Sequence, residues 1–193
     1  MKTVNILIAG VGGQGVVAAS DIISDMALVR GFDVKKSEIH GMSQRGGAVS
    51  SFVRYGDHVA SPLPFKCDVD FIISFEEMET LRWSDHTKEG TKIIVNTLKI
   101  KPASLAMSGQ EYPDVKNQLK GGDVFYLDGT GESKKIGNVK VLNSLMIGAF
   151  CAFSGFTDND FQDAFTRRVK KHTEENMAAF NKGKEMVKNY VLS

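Results

Sequence analysis

Apolar and polar positions run along this chain in blocks whose period changes. Residues 6–9 are an apolar run, and Gly10-Val11-Gly12-Gly13-Gln14-Gly15 breaks it. A stretch at helical spacing, Val16-Val17-Ala18-Ala19-Ser20-Asp21-Ile22-Ile23, follows at once. This order predicts a strand, a tight turn and a helix that closes near Arg30, with Gly31 as its cap. Residues 32–39 predict a second, less apolar strand, and residues 48–55 a third that alternates, ended by the turn signal Gly56-Asp57. Between them residues 40–47 form a polar loop, and residues 61–64 an extended connection. The runs at 69–75, 92–96 and 124–128 are continuously apolar, as expected of strands covered on both faces. Residues 76–83 read as a helix, 99–120 as a loop with a short helix, and 141–153, 158–171 and 173–190 as three further helices. Strands alternating with helices predict an α/β chain: Rossmann-like, doubly wound, with a mostly parallel sheet flanked by helices and right-handed crossovers. No repeat or linker divides residues 1–193, so one domain is expected.

Composition narrows the function classes. A chain of 193 residues can bury about 70 % of its unfolded surface. The net charge is +1, and the one basic run, Arg167-Arg168-Val169-Lys170-Lys171, is followed by Glu174-Glu175. That balance argues against nucleic acid as a partner. No apolar stretch approaches the roughly 20 residues of a bilayer span, and the first apolar run is too short for a signal peptide. No membrane and a cytoplasmic location are expected. Cys67 and Cys151 lie far apart with no Cys-x-x-Cys pair. They are expected to be reduced and buried, in neither a disulfide nor a zinc site. Two thiols also exclude an iron–sulfur cluster held by this chain alone, which takes about four.

Two glycine-bearing segments carry the candidate chemistry. In the first, the exposed N–H groups of a helix start and the helix dipole favour a phosphate or carboxylate. Gly10, Gly12 and Gly15 have the Gly-x-Gly-x-x-Gly spacing, and with Gly13 and Gln14 they form a candidate anion or phosphate turn. A dinucleotide site would add an acidic residue about 20 positions on, at the end of the second strand. Asp33 precedes that strand, and Glu38 is followed by His40-Gly41 and the polar loop. Two readings therefore stand: glycines that serve strand–helix packing beside an anion site, or a free-standing module for NAD, FAD or another nucleotide. The second segment holds His40, Ser43, Gln44 and Arg45, then Gly46 and Gly47. Arginine offers a rigid fork for carboxylate or phosphate, and glycines let a ligand or another backbone come close. The plainer alternative is a solvated loop whose arginine pairs with a surface acid. No further basic cluster accompanies Arg45.

The remaining polar residues call for less. Glu76, Glu77 and Glu79 fit a solvated helix start, where the dipole favours acids. His58, His86 and His172 lack ligand spacing and suit surface or capping positions. Trp83 is expected to be buried with its N–H bonded. No Gly-x-Ser-x-Gly elbow occurs, and neither a catalytic residue nor a metal site is assigned to this chain.

The string Gly10-Val11-Gly12-Gly13-Gln14-Gly15-Val16, followed by His40-Gly41-Met42-Ser43-Gln44-Arg45-Gly46-Gly47-Ala48-Val49, closely resembles the gamma-type domain of the 2-oxoacid:ferredoxin oxidoreductases. Within that family the pyruvate/ketoisovalerate gamma-type domain would span residues 1–193, and the beta subunit of indolepyruvate ferredoxin oxidoreductases looks most alike. Asp70-Phe71-Ile72-Ile73-Ser74-Phe75-Glu76, Asn143-Ser144-Leu145-Met146-Ile147-Gly148-Ala149 and Asn176-Met177-Ala178-Ala179-Phe180-Asn181-Lys182-Gly183 extend the resemblance. Residues 99–120 depart from it most. The resemblance implies a subunit of an enzyme that oxidatively decarboxylates a 2-oxoacid, joins the acyl group to coenzyme A and reduces ferredoxin. Thiamine diphosphate and iron–sulfur clusters would then belong to a large catalytic partner subunit. Gly121-Gly122-Asp123 and Asp128-Gly129-Thr130-Gly131 do not fit the family's Gly-Asp-Gly thiamine pattern, so the chain alone should be inactive. Two roles stay open: docking of residues 40–47 on the large subunit, or contact of the glycine turn or Arg45 with coenzyme A. An isolated subunit that exposes its docking face is disposed to form a homodimer.

Overall fold

The computed structural model describes residues 1–40, 47–119, 121–169 and 171–192. Six strands form one sheet among them: β1 (Val4–Val11), β2 (Asp33–His40), β3 (Ala48–Gly56), β4 (Val69–Ser74), β5 (Thr87–Asn96) and β6 (Asp123–Leu127). Their order is β2-β3-β1-β4-β5-β6. β1, β4, β5 and β6 are parallel neighbours. β3 runs against both β1 and β2 and separates them. The sheet is therefore mixed but mostly parallel, as the alternation of elements predicted. β2 reads as less apolar because it lies at the sheet edge.

Eight α-helices complete the described chain: α1 (Val16–Val29), α2 (Glu77–Arg82), α3 (Ala103–Met107), α4 (Val115–Gln118), α5 (Gly129–Ile136), α6 (Leu142–Ser154), α7 (Asp158–Arg168) and α8 (Thr173–Leu192). α1 ends where expected. Gly31, at φ 79°, donates its N–H to Leu28 O while Phe32 N–H reaches Ala27 O, a Schellman closure. Residues 99–120 hold two short helices rather than one, and α5 was not anticipated. Its Gly129-Thr130-Gly131 start carries no apolar period, but Asp128 caps it by accepting from Gly131 N–H at 2.8 Å. β5 begins five residues before its apolar run because a register shift lets residue 87 pair with Val69.

The two faces of the sheet are covered unequally. Ile6, Ile8, Ile73 and Ile94 point into a large core beneath α1, α6, α7 and α8. Leu7, Phe52, Ile72, Ile93 and Val95 form a smaller cluster on the other face, with Trp83, Leu119, Val124 and Tyr126 against it. On the large side α6 and α8 cross at backbone contact. A Cβ on Gly148 would overlap the Phe180 carbonyl, and one on Gly183 the Leu145 carbonyl. Ser144 Oγ also donates to buried Asn176 Oδ1 at 2.7 Å. The asparagine and glycine strings at 143–149 and 176–183 thus have a packing role.

Several sequence expectations are corrected on the smaller side. Glu76, Glu77 and Glu79 are 0 %, 2 % and 3 % exposed, so they are buried rather than solvated. Trp83 Nε1 is buried without a hydrogen-bond partner among the described residues; its ring packs edge-on against Phe52 and His86. Cys67 is exposed, whereas Cys151 is buried as expected.

Candidate functional site at the glycine turn

The turn sits at the carboxyl end of β1, where helices leave parallel neighbours toward opposite faces: α1 covers one face after β1, and α2 the other after β4. Such a switch point opens a crevice at the strand ends. Gly10 is required sterically, because a Cβ there would lie 2.7 Å from Gln14 Oε1 and 2.9 Å from Phe75 Cβ. Gly13 and Gly15 take φ values of 97° and 85°, which favour glycine. Gly15 is the N-cap of α1 and makes no side-chain cap bond, and no acid stands in the first turn. The dipole and the leading N–H groups therefore meet no acid of α1's own first turn.

Gln14 stabilises the turn itself. Its Oε1 accepts from Val11 N–H at 2.7 Å and its Nε2 donates to Phe75 O at 3.2 Å. Asn96, wholly buried at the end of β5, donates to the same Phe75 carbonyl at 2.9 Å. It also donates to Thr130 Oγ1 at 2.9 Å and accepts from Thr130 N–H at 3.1 Å. The ends of β1, β4 and β5 are thereby tied to the start of α5. Sequence reasoning missed Asn96 and Thr130. The available signal was a polar residue closing an apolar strand at its carboxyl end.

One residue of each glycine segment, Gly12 and Gly47, meets the other in space. Gly12 N–H donates to Gly47 O at 2.9 Å, and β3 starts beside the end of β1, with Ala48 opposite Val11. His40 closes β2 opposite Val49. Residues 41–46, with Ser43, Gln44, Arg45 and Gly46, lie outside the described residues. Glu38 is separated from β1 by β3. In a dinucleotide site the acid-bearing second strand lies beside the first, so the adjacency that reading needs is missing.

A cavity opens on each side of the turn. One, of about 390 Å³, is lined by Val11, Gly12, Gly13, Gly15, Val16, Val17 and Val49. The other, of about 430 Å³, is lined by Gly13, Gln14, Gly15, Leu98, Thr130, Val139, Lys140, Leu142 and Asn143. Lys140 and Asn143 also border a third, of about 490 Å³, with Lys171, His172, Glu175 and Asn176. A basic residue, Lys140, thus shares a cavity wall with the glycine turn. It is contributed from 130 residues downstream, where spacing could not reveal it.

The three buried glutamates flank this end of the sheet. Glu76 Oε2 accepts from Glu79 N–H at 3.0 Å and caps α2. Glu79 meets Arg82 at 3.1 Å, yet burial holds its carboxyl above the ordinary range, with the guanidinium opposing that rise.

A family model, pyruvate ferredoxin/flavodoxin oxidoreductase, matches residues 5–186. The chain belongs to that family. Among oxidoreductase relatives, the indolepyruvate oxidoreductase subunit IorB of Thermococcus kodakarensis is 34 % identical, covering 97 % of this chain and 98 % of the relative. The IorB subunit of Methanothermobacter thermautotrophicus is 36 % identical, over 79 % and 80 % of the two chains. The fold is shared with the keto/oxoacid ferredoxin oxidoreductase gamma subunit of Geobacter sulfurreducens, at a TM-score of 0.73 and 23 % identity, covering 96 % and 99 %. Among the described residues no helix is long and apolar enough to cross a membrane.

Proposed function

We propose that this chain is the small subunit of a 2-oxoacid:ferredoxin oxidoreductase of the indolepyruvate type. The observation that carries this reading is its similarity to IorB subunits along almost the whole of both chains. The large partner subunit would carry thiamine diphosphate and the iron–sulfur clusters. It would decarboxylate an aryl pyruvate, form the acyl-coenzyme A and reduce ferredoxin. Nothing in this chain supplies that chemistry: two cysteines are too few for a cluster and no thiamine motif is present.

Its own contribution is a docking face. Residues 40–47, with His40, Ser43, Gln44, Arg45, Gly46 and Gly47, would meet the large subunit beside the glycine turn and help exclude water from the thiamine site. Gly10, Gly12, Gly13, Gln14 and Gly15 would form the anion-friendly part of that face. Lys140 gives the competing role, contact with a phosphate of coenzyme A, a cation that Arg45 alone did not provide.

Copurification from the native source is expected to retain a larger chain bearing thiamine diphosphate and clusters, while the purified small chain turns over no aryl pyruvate. Arg45→Ala should weaken assembly by roughly tenfold or more, the usual loss for an arginine anchor. Normal assembly with a raised coenzyme A requirement would instead assign Arg45 to the co-substrate. Stabilisation of the lone chain by a nicotinamide or flavin nucleotide would favour the free-standing nucleotide module.

A further inference from the structure

Three consecutive residues after β4 join the glycine turn to a segment that has no assigned role. Phe75 N–H donates to Ala9 O at 2.8 Å, and Phe75 O accepts from Gln14 and Asn96. Glu76 follows, fully buried. Besides capping α2, its carboxylate accepts through Oε1 from Ile100 N–H at 2.9 Å and from the Tyr112 hydroxyl at 2.6 Å. The same hydroxyl accepts from Met78 N–H at 2.7 Å. Glu77 N–H donates to Leu98 O at 3.0 Å. Its buried Oε2 lacks a hydrogen-bond partner among the described residues and faces Lys99 Nζ at 3.6 Å. Leu98, Lys99, Ile100 and Tyr112 all belong to the segment between β5 and α4.

Burying adjacent carboxylates is costly, and removing one partner of a buried charge more so. A cap on a six-residue helix does not require it, since serine, threonine or aspartate would serve. Only Oε2 of Glu76 is used for capping; Oε1 is turned wholly onto residues 98–112. Leu98, held by this arrangement, is a wall of the 430 Å³ cavity shared with Gly13 and Gly15. We infer that Glu76 is a positioning residue whose carboxylate fixes segment 97–112 relative to the glycine turn, so that both present one face to the large subunit. The clamp stands on this chain alone; the docking step rests on the reading given under Proposed function.

Two variants of the chain are read by where exchange rises: lost capping alone loosens α2, whereas a lost clamp loosens residues 98–112. Tyr112→Phe removes the donor to Oε1 and, with it, the acceptor for Met78 N–H, and leaves the Glu76–Glu79 bond in place. Amide hydrogen exchange should then rise roughly tenfold or more across residues 98–112, and less at residues 13–15, while α6 and α8 stay protected. Glu76→Gln keeps an oxygen for Ile100 and Tyr112 but can turn an amide N–H₂ toward Glu79 N–H. Its faster exchange should be confined to α2. Wild-type protection of residues 98–112 in Tyr112→Phe, or loosening that never reaches residues 13–15, would overturn the positioning role. Affinity for the large subunit supplies the second readout. Tyr112→Phe should weaken assembly several-fold with an unchanged kcat once saturated. Raised exchange with unchanged affinity would overturn the docking step and leave the clamp standing.

Discussion

The large and small faces of the sheet bury their surfaces by different means. Beneath α1, α6, α7 and α8 the core is almost wholly apolar, closed by long helices that satisfy most of their own backbone groups. Beneath α2 and α4 the cover is short. A six-residue helix leaves nearly all its terminal N–H and C=O groups without intrahelical partners. Buried ends of that kind need side-chain partners, and Glu76 and Tyr112 provide them. Charge is buried where the covering elements are too short to be self-sufficient.

Overpacking the large face gives the greatest expected effect. Gly148→Ala would push a methyl into the Phe180 carbonyl and should cost about 3 kcal/mol, read as a lower denaturant midpoint at unchanged slope. A loss below about 1 kcal/mol would mean that α6 and α8 can separate freely, and the contrast in rigidity would fail. On the small face Trp83→Phe should change stability by less than about 1 kcal/mol, because the lost ring area is offset by removing a buried indole N–H that has no acceptor among the described residues. A larger loss would show that this face is packed as tightly as the other. The smallest effect concerns pH. Burial raises the Glu79 pKa above its ordinary 4.5, so the native state binds this proton more tightly than the unfolded chain. Its contribution to stability is complete below pH 4.5 and is lost as pH rises through the raised value. Glu79→Gln should flatten that decline in pH-dependent unfolding; an unaltered slope would remove Glu79 as its source.

The same contrast separates what was legible from what was not. Strands and long helices followed from apolar period, and the closure of α1 at Gly31 from a single glycine. Glu76, Glu77 and Glu79 were misread because acids at a helix start look alike whether water or Tyr112 lies beside them. α5 escaped notice because its start is fixed by the Asp128 cap and by Asn96, not by apolar spacing. Of the candidate site, the glycines at 10, 13 and 15 were legible from backbone requirements. Gln14 belonged to the turn, though as a strut rather than as a demonstrated ligand contact.

By itself the sequence determined an α/β domain with a glycine turn at the end of its first strand, because local period and glycine's freedom at positive φ are properties of neighbouring residues. Only the tertiary structure decided that β3 would separate β1 from β2, that Gly12 and Gly47 would share a hydrogen bond, and that Lys140 would border the turn. Apart from the β2–β3 pairing, those relations join residues 35 to about 130 positions apart. They arise from the closure of the sheet and the return of α6 across it, which no short window of sequence contains.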